Sequence, residues 1–231
     1  MSSFSVAKSF FASESVEASP VEYDSNNYMS TSTGNHVSRK SILCGPQNIH
    51  LHGKTIIREG AVLRGDLATI RIGRNCIIHG GAVVRPGYKR YKGGFAFVPM
   101  QIGEYVVIGN NSVIEAAAIG TNVVIGNNVI IGRRAIIKDC TVIKDNTVIV
   151  ADTVVPPFTC FHGIPGKIVN YDSGNEDDGF GISNSNEGMP GSNLFWKHSN
   201  GAELSASTPE LIQEYVKKLY DAFQAKEPET Y

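Results

Sequence analysis

The residues of this 231-residue chain with types suited to chemistry are six histidines, four cysteines and one Arg-Gly-Asp triplet. His50 and His52 alternate in "NIHLHGK", so a strand puts both imidazoles on one face, as the start of a metal site requires. No third ligand or general acid accompanies them, and two same-face histidines alone read as surface residues. His79 follows Ile78, His162 lies near the end of the patterned region, and His36 and His198 sit in segments with no supporting pattern. Cys44, Cys76, Cys140 and Cys160 make no C-x-x-C pair, so reduced thiols fit better than a disulfide framework. Arg64 and Asp66 have the look of an acid–base pair; a structural ion pair, within the chain or across a subunit boundary, is the stronger reading. No phosphate-binding loop of the Walker type occurs, because the glycines keep a spacing of six and open no helix.

A different kind of chemistry, recognition, is offered by "PGYKRYKGGFAFVP", Pro86 to Pro99. Tyr88, Lys89, Arg90, Tyr91 and Lys92 mix aromatic and basic side chains, the types favoured at protein interfaces. The segment is therefore a candidate protein–protein contact, with a solvated loop as the bland alternative.

The element that must carry these residues announces itself by its period. Large aliphatics stand at Ile102, Ile108, Ile114, Ile119, Ile125, Ile131, Ile137, Ile143, Ile149 and Val155, with a single five-residue step, and Ile72, Ile78 and Val84 keep the period upstream. Four residues after each comes a small or β-branched residue, such as Cys76, Ala82, Ser112, Val129 or Thr141. Six is not a multiple of 3.6 but is a multiple of two, so the repeat is a short strand plus a corner. Three corners close a triangular coil, with the aliphatics stacked inside and the small column filling the narrow remainder. Gly103, Gly109, Gly120, Gly126 and Gly132, with Asn110, Asn111, Asn127, Asn128, Asp145 and Asn146, fall at the corners, where unusual backbone angles are expected. Cys76 belongs to the interior and reads as inert.

Composition bounds the rest. A net charge of −1 favours neither nucleic acid nor a charged membrane. No run approaches the ~20 apolar residues of a membrane span, and the N-terminus lacks the pattern of a signal peptide, so a cytoplasmic protein is expected. Residues 1–33, rich in Ser, Asn and Glu, are expected to be disordered, 34–169 to form the repeat domain, and 170–207 to be a flexible acidic and polar insert. Leu194, Phe195 and Trp196 make one apolar spot in that insert. "TPELIQEYVKKLYDAFQAK" predicts a helix over 208–226, with Thr208 as N-cap and Pro209 at the first helical position. Leu211, Ile212, Tyr215, Val216, Leu219 and Phe223 form a stripe expected to pack on the repeat domain.

The hexads resemble the hexapeptide-repeat family of left-handed parallel β-helices. This implies an all-β fold of about seven coils with a C-terminal α-helix; the hand comes from the resemblance, against the usual right-handed crossover. Within that class, "AVLRGDLATIRIGRNCIIHGGAVVRP" and "IGEYVVIGNNSVIEAAAIG" resemble the γ-class carbonic anhydrases. Arg64, Gly65 and Asp66 match that family's Arg-Gly-Asp, and its three zinc-binding histidines fall on Arg85, Asn110 and Glu115. None of the three is histidine. Arginine is a permanent cation without a lone pair, asparagine is a poor zinc ligand, and one glutamate cannot hold the ion. The expectation is no metal, no cofactor and no catalytic residue, with a Glu115–Arg85 ion pair in the vacated position. Hexapeptide acyltransferases, which use a histidine base and bind coenzyme A, are the second enzyme class resembled; the 86–99 interruption, where such enzymes often place a loop, holds no histidine. An enzyme of either class stands as the alternative.

Two longer stretches, "GNHVSRKSILCGPQNIHLHGKTIIREGAVLRGDLATIRIGR" and "IGRRAIIKDCTVIKDNTVIVADTVVPPFTCFHGIPGK", are similar to the dynactin subunit 5 family of β-helical subunits at the pointed end of dynactin. The likeness runs over roughly 28–167 and resumes at the C-terminal helix; the N-terminal extension and the 170–207 insert depart from it. It implies a non-enzymatic structural and adaptor subunit of the dynein activator, in the cytoplasm on the microtubule cytoskeleton, linking dynactin to cargo such as endosomes. The implied partners are dynactin subunit 6 (a second β-helix), dynactin subunit 4, the pointed-end actin-related protein and dynein cargo adaptors, with no nucleic acid and no membrane insertion. Arg64, Asp66, Tyr88, Lys89, Arg90, Tyr91 and Lys92 are the interface candidates.

Overall fold

Residues 26–168, 204 and 207–224 are described by a computed structural model. Strands of two to five residues stack into three parallel ladders, one per face of a triangular prism. The first face carries seven parallel strands, from His36–Ser38 through Ile56–Ile57 to Cys160–His162. The second runs from Ile42–Cys44 to Val148–Ile149 and the third from Ile49–Gly53 to Val154–Val155, each with six strands. The result is the expected β-helix of hexapeptide repeats, with six complete turns and a seventh strand on one face.

The register explains the period. Ile78, Ile108, Ile125 and Ile143 are paired in line on the first face, and Val84, Ile114, Ile131 and Ile149 on the second. All eight are buried in one continuous core. The small column lies inside with them, and its hydroxyls bond to corner carbonyls: Ser112 Oγ donates to Gly126 O at 2.8 Å and Thr141 Oγ1 to Lys138 O at 2.9 Å.

The corners differ from the expectation in one respect. Left-handed backbone falls three residues after the core aliphatic, at Asn111, Asn128 and Asn146 but also at Tyr105, Arg134, Cys140 and Phe158. Gly109 is needed for another reason: a Cβ there would lie 2.3 Å from the carbonyl oxygen of Gly126 on the next rung. Close stacking of successive coils selects that glycine.

Helix α1, Thr208–Gln224, lies along the first face. The outward residues of that face form an apolar column of Ile56, Ile77, Val107, Val124, Val142 and Cys160, and Ile212, Val216, Tyr220 and Phe223 cover it. Burying each such aliphatic contributes about 1.5–3 kcal/mol, so the column and the helix stripe select one another. The Leu211 N–H donates to the Ser207 carbonyl, which puts the cap one residue before Thr208. Residues 225–226 of the expected helix lie outside the described residues.

A second departure is at the N-terminal end. Tyr28–Ser30, inside the stretch expected to be without structure, is a strand antiparallel to His36–Ser38. Tyr28 is buried with its ring 5.0 Å from that of Phe223, so the C-terminal helix supplies the apolar partner that local composition does not reveal. Residues 1–25 and 170–203, including Leu194, Phe195, Trp196 and His198, lie outside the described residues.

Candidate functional site

The corner between the second and third faces gathers most of the residues singled out by sequence. Arg64, Arg85 and Glu115 follow Leu63, Val84 and Ile114, which are in register, so the three side chains stack on successive rungs. The Arg85 Nε donates to Glu115 Oε1 at 2.7 Å, and Nη2 donates to the same oxygen. The ion pair expected at the vacated ligand positions is therefore formed. Asn110 is elsewhere, at the corner between the first and second faces, where its Nδ2 donates to Asn127 Oδ1 at 3.1 Å. Asn127 in turn bonds to Asp145, so a polar ladder runs down that edge. A cationic guanidinium locked to the lone carboxylate and an amide on a different edge make a charge pair and a corner ladder, and neither presents a lone-pair set to a metal. Among the described residues, no three His, Cys, Asp or Glu side chains are grouped for one.

Arg64 and Asp66 pair with each other through two parallel hydrogen bonds, Nε to Oδ1 at 2.7 Å and Nη2 to Oδ2 at 2.8 Å. The guanidinium's hydrogen bonds hold the Asp66 carboxyl below the usual carboxylate range. Both side chains are more than a third exposed, and a pair so screened contributes little to stability. The fork fixes the orientation of Arg64 at the surface instead.

The 86–99 interruption is a β-hairpin rather than a loop. Tyr88–Tyr91 pairs antiparallel with Gly94–Phe97 around a two-residue turn whose Gly93 has φ +99°. A turn glycine at Gly93, between the Tyr88–Tyr91 arm and the alternating Phe95 and Phe97, is the signal that the sequence offered. Tyr88, Phe95 and Phe97 meet edge to face at 5.7–6.2 Å, yet Phe95 keeps 67% of its surface exposed. The base of the hairpin is clamped to the prism by two residues that sequence reasoning missed. The Arg133 guanidinium sits 4.5 Å from the centre of the Tyr88 ring, and Arg134 Nη1 donates to the Tyr88 carbonyl at 2.5 Å. Arg134 also holds Asp152 through Nε to Oδ1 at 2.7 Å. Lys89 stacks over Tyr91 at 5.7 Å, and Arg90, Tyr91 and Lys92 are exposed.

The histidines separate into exposed and buried sets. His50 and His52 point outward on the third face, and His162 is exposed near the last turn. His36 is buried between the prism and α1, against Tyr220 and Phe223. His79 is buried beside Arg58, whose Nη1 lies 3.1 Å from its Nδ1. Cys76 is buried, and burial raises its thiol to about 12, as an inert interior residue requires. All four cysteines are free thiols.

A profile of the family described as Dynactin subunit 5 matches residues 16–175. The Dynactin subunit 5 of Dictyostelium discoideum is 51% identical over 106 residues, 46% of this chain and 54% of that one. The chain thus spans about half the length of this curated relative. Among solved structures, a hexapeptide transferase family protein from Anaplasma phagocytophilum is similar at 17% identity and a TM-score of 0.54, over 83% of this chain and 92% of that one. A point mutant of AntD, an N-acyltransferase from Bacillus cereus, is similar at 12% identity and a TM-score of 0.56, over 85% and 97% of the two chains. At these identities the likeness is one of fold.

Proposed function

This chain belongs to the dynactin subunit 5 family, and from that premise we propose that it is a non-enzymatic structural and adaptor subunit of the dynactin pointed end. It works in the cytoplasm on microtubules, linking the dynein activator to cargo such as endosomes. The observation that supports the non-enzymatic part is the Arg85–Glu115 pair: the corner where a related fold binds zinc holds a charge-neutral fork with nothing left to activate water.

The two ends of the prism support an assignment of neighbours. At the C-terminal end the chain closes on itself. Val148 N donates to Gly163 O, Gly166 N donates back to Val148 O, and Pro156–Pro157 follow the last strand of the third face. At the N-terminal end, Ile42–Cys44 and Ile49–Gly53 are the outermost strands of their sheets among the described residues. Leu43, Ile49 and Leu51 are only half-buried there. An edge with unpaired backbone groups and an open core accepts a further rung. The N-terminal end is accordingly the surface for the second β-helix, dynactin subunit 6. The hairpin is the contact for a cargo adaptor or for a neighbour such as dynactin subunit 4 or the pointed-end actin-related protein.

Co-expression with dynactin subunit 6 tests the assignment. A stable 1:1 complex, with the single chain self-associating, is expected; a monodisperse monomer indifferent to subunit 6 removes it. Replacing Tyr88, Arg90 and Tyr91 with alanine leaves the fold intact and weakens adaptor or neighbour binding, and unchanged binding returns the hairpin to a solvated role.

A further inference from the structure

The second face carries the same outward apolar column as the first. Ile42, Val62, Val83, Val113, Ile130 and Val148 are paired in line over six consecutive strands. On the first face the corresponding column is buried under α1; here, among the described residues, no helix lies on it. Ile42 keeps 54% of its surface exposed and Ile130 48%. A contiguous apolar column of this kind marks an interaction site.

Charge specifies the occupant. The two corners that border this face, taken with the 86–99 hairpin, hold eleven Arg and Lys against five Asp and Glu, on a chain whose net charge is −1. Four of the five acids are already neutralised from within: Glu59 by Lys40, Asp66 by Arg64, Glu115 by Arg85 and Asp152 by Arg134. The fifth, Asp145, accepts from the backbone of Asn127. The surplus is positive and concentrated on the hairpin side, at Lys89, Arg90, Lys92 and Arg133.

Length specifies its form. Six strands at ~4.8 Å spacing make a column about 24 Å long. A helix of about 16 residues at 1.5 Å per residue matches it. The molecule itself demonstrates the fit, since α1 has 17 residues and fills the equivalent column on the first face. We propose that the second face is a docking surface for an acidic amphipathic helix of a partner protein. The helix lays its apolar stripe on the Ile42–Val148 column and its carboxylates against the basic border. This goes beyond membership of dynactin, which neither the face nor its charge is needed to explain.

The test uses the full chain in complex with dynactin subunit 6. The probe is a fluorescein-labelled synthetic helix of 18 residues, with leucines at i, i+3, i+4 and i+7 and glutamates elsewhere, beside a twin carrying lysines for the glutamates. Anisotropy is expected to show binding of the glutamate peptide alone, weakening as salt rises. Two double variants, Val113→Thr with Ile130→Thr and Arg90→Glu with Lys92→Glu, are each expected to lose about tenfold in affinity, ~1.4 kcal/mol. The second pair lies on the hairpin, outside the stacked core, so its effect does not depend on prism stability. Equal binding of the two peptides, or no binding, overturns the proposal. So does hydrogen-exchange protection of the Val113 and Ile130 strands by residues 170–203 or by a second copy in the absence of probe. None of these outcomes bears on whether the complex with subunit 6 forms, which keeps the two readings separable.

Discussion

The Tyr220 hydroxyl donates a 2.6 Å hydrogen bond to the Gly34 carbonyl, joining residues 186 apart in sequence. The same hydroxyl reaches His36 Nε2 at 3.3 Å, so the last turns of α1 are keyed to the first rung of the prism. Gly34 has φ +76°, and a Cβ there would stand 2.9 Å from the Tyr220 oxygen. Tyr220→Phe is expected to cost about 1 kcal/mol in urea unfolding. Gly34→Ala costs about 1–2 kcal/mol for the left-handed backbone alone, with the clash added. In the double variant the clash is relieved, so the combined cost falls short of the sum; strict additivity would show that the two residues do not meet.

Neighbouring isoleucines on one strand should behave in opposite ways. Ile131 is fully buried in the core while Ile130, one residue earlier, faces out. Ile131→Ala is expected to destabilise by about 2–5 kcal/mol. Ile130→Ala changes stability by about 0.5 kcal/mol or less. Thermal melts of the two variants decide the facing of the strand. Comparable losses would mean that Ile130 is covered in solution.

Rung stacking gives a second contrast, between glycines of equal intrinsic freedom. Gly109 has the next rung's backbone 2.3 Å from its potential Cβ, whereas Gly94 in the hairpin has nothing within 4 Å. Gly109→Ala forces two coils apart and is expected to cost about 3 kcal/mol, the upper end for overpacking. Gly94→Ala is expected to leave the melting temperature almost unchanged. A mild effect at Gly109 would indicate that the rungs breathe enough to admit a methyl group.

The prism was legible because its rule is local: every sixth residue aliphatic and the fourth after it small put Ile108, Ile125 and Ile143 inside without knowledge of any distant contact. The Arg85–Glu115 pair was legible for the same reason, since the two residues sit at fixed positions in hexads of successive rungs. What escaped depended on non-local partners. Tyr28–Ser30 has no hexad and becomes a strand only because Phe223 and the first rung receive it. The hairpin arms are four residues each and only Gly94–Phe97 alternates, too little to stand out, and Arg133 gives no hint in sequence that it lies over Tyr88. The columns Ile56–Cys160 and Ile42–Val148 are alike as strings of apolar, mostly β-branched residues, so nothing local in the sequence tells which of the two faces α1 covers.

His79 gives the molecule a sign to its acid response. Burial, with the charge of Arg58 added, pushes its imidazole down to about 3 from an ordinary value near 6.5, so the folded chain holds it neutral. Above pH 6.5 neither folded nor unfolded chain binds this proton, and its contribution to stability is complete. Between 6.5 and about 3 only the unfolded chain binds it, so stability falls as the pH drops, by up to about 1.4 kcal/mol per unit from this one group. His79→Gln keeps an acceptor for Arg58 and removes the titration. Between pH 7 and pH 4.5 the urea midpoint of the natural chain is expected to fall further than that of the variant. Parallel falls in the two proteins would show that His79 takes up its proton in the folded state, and that its neighbours open to let it do so.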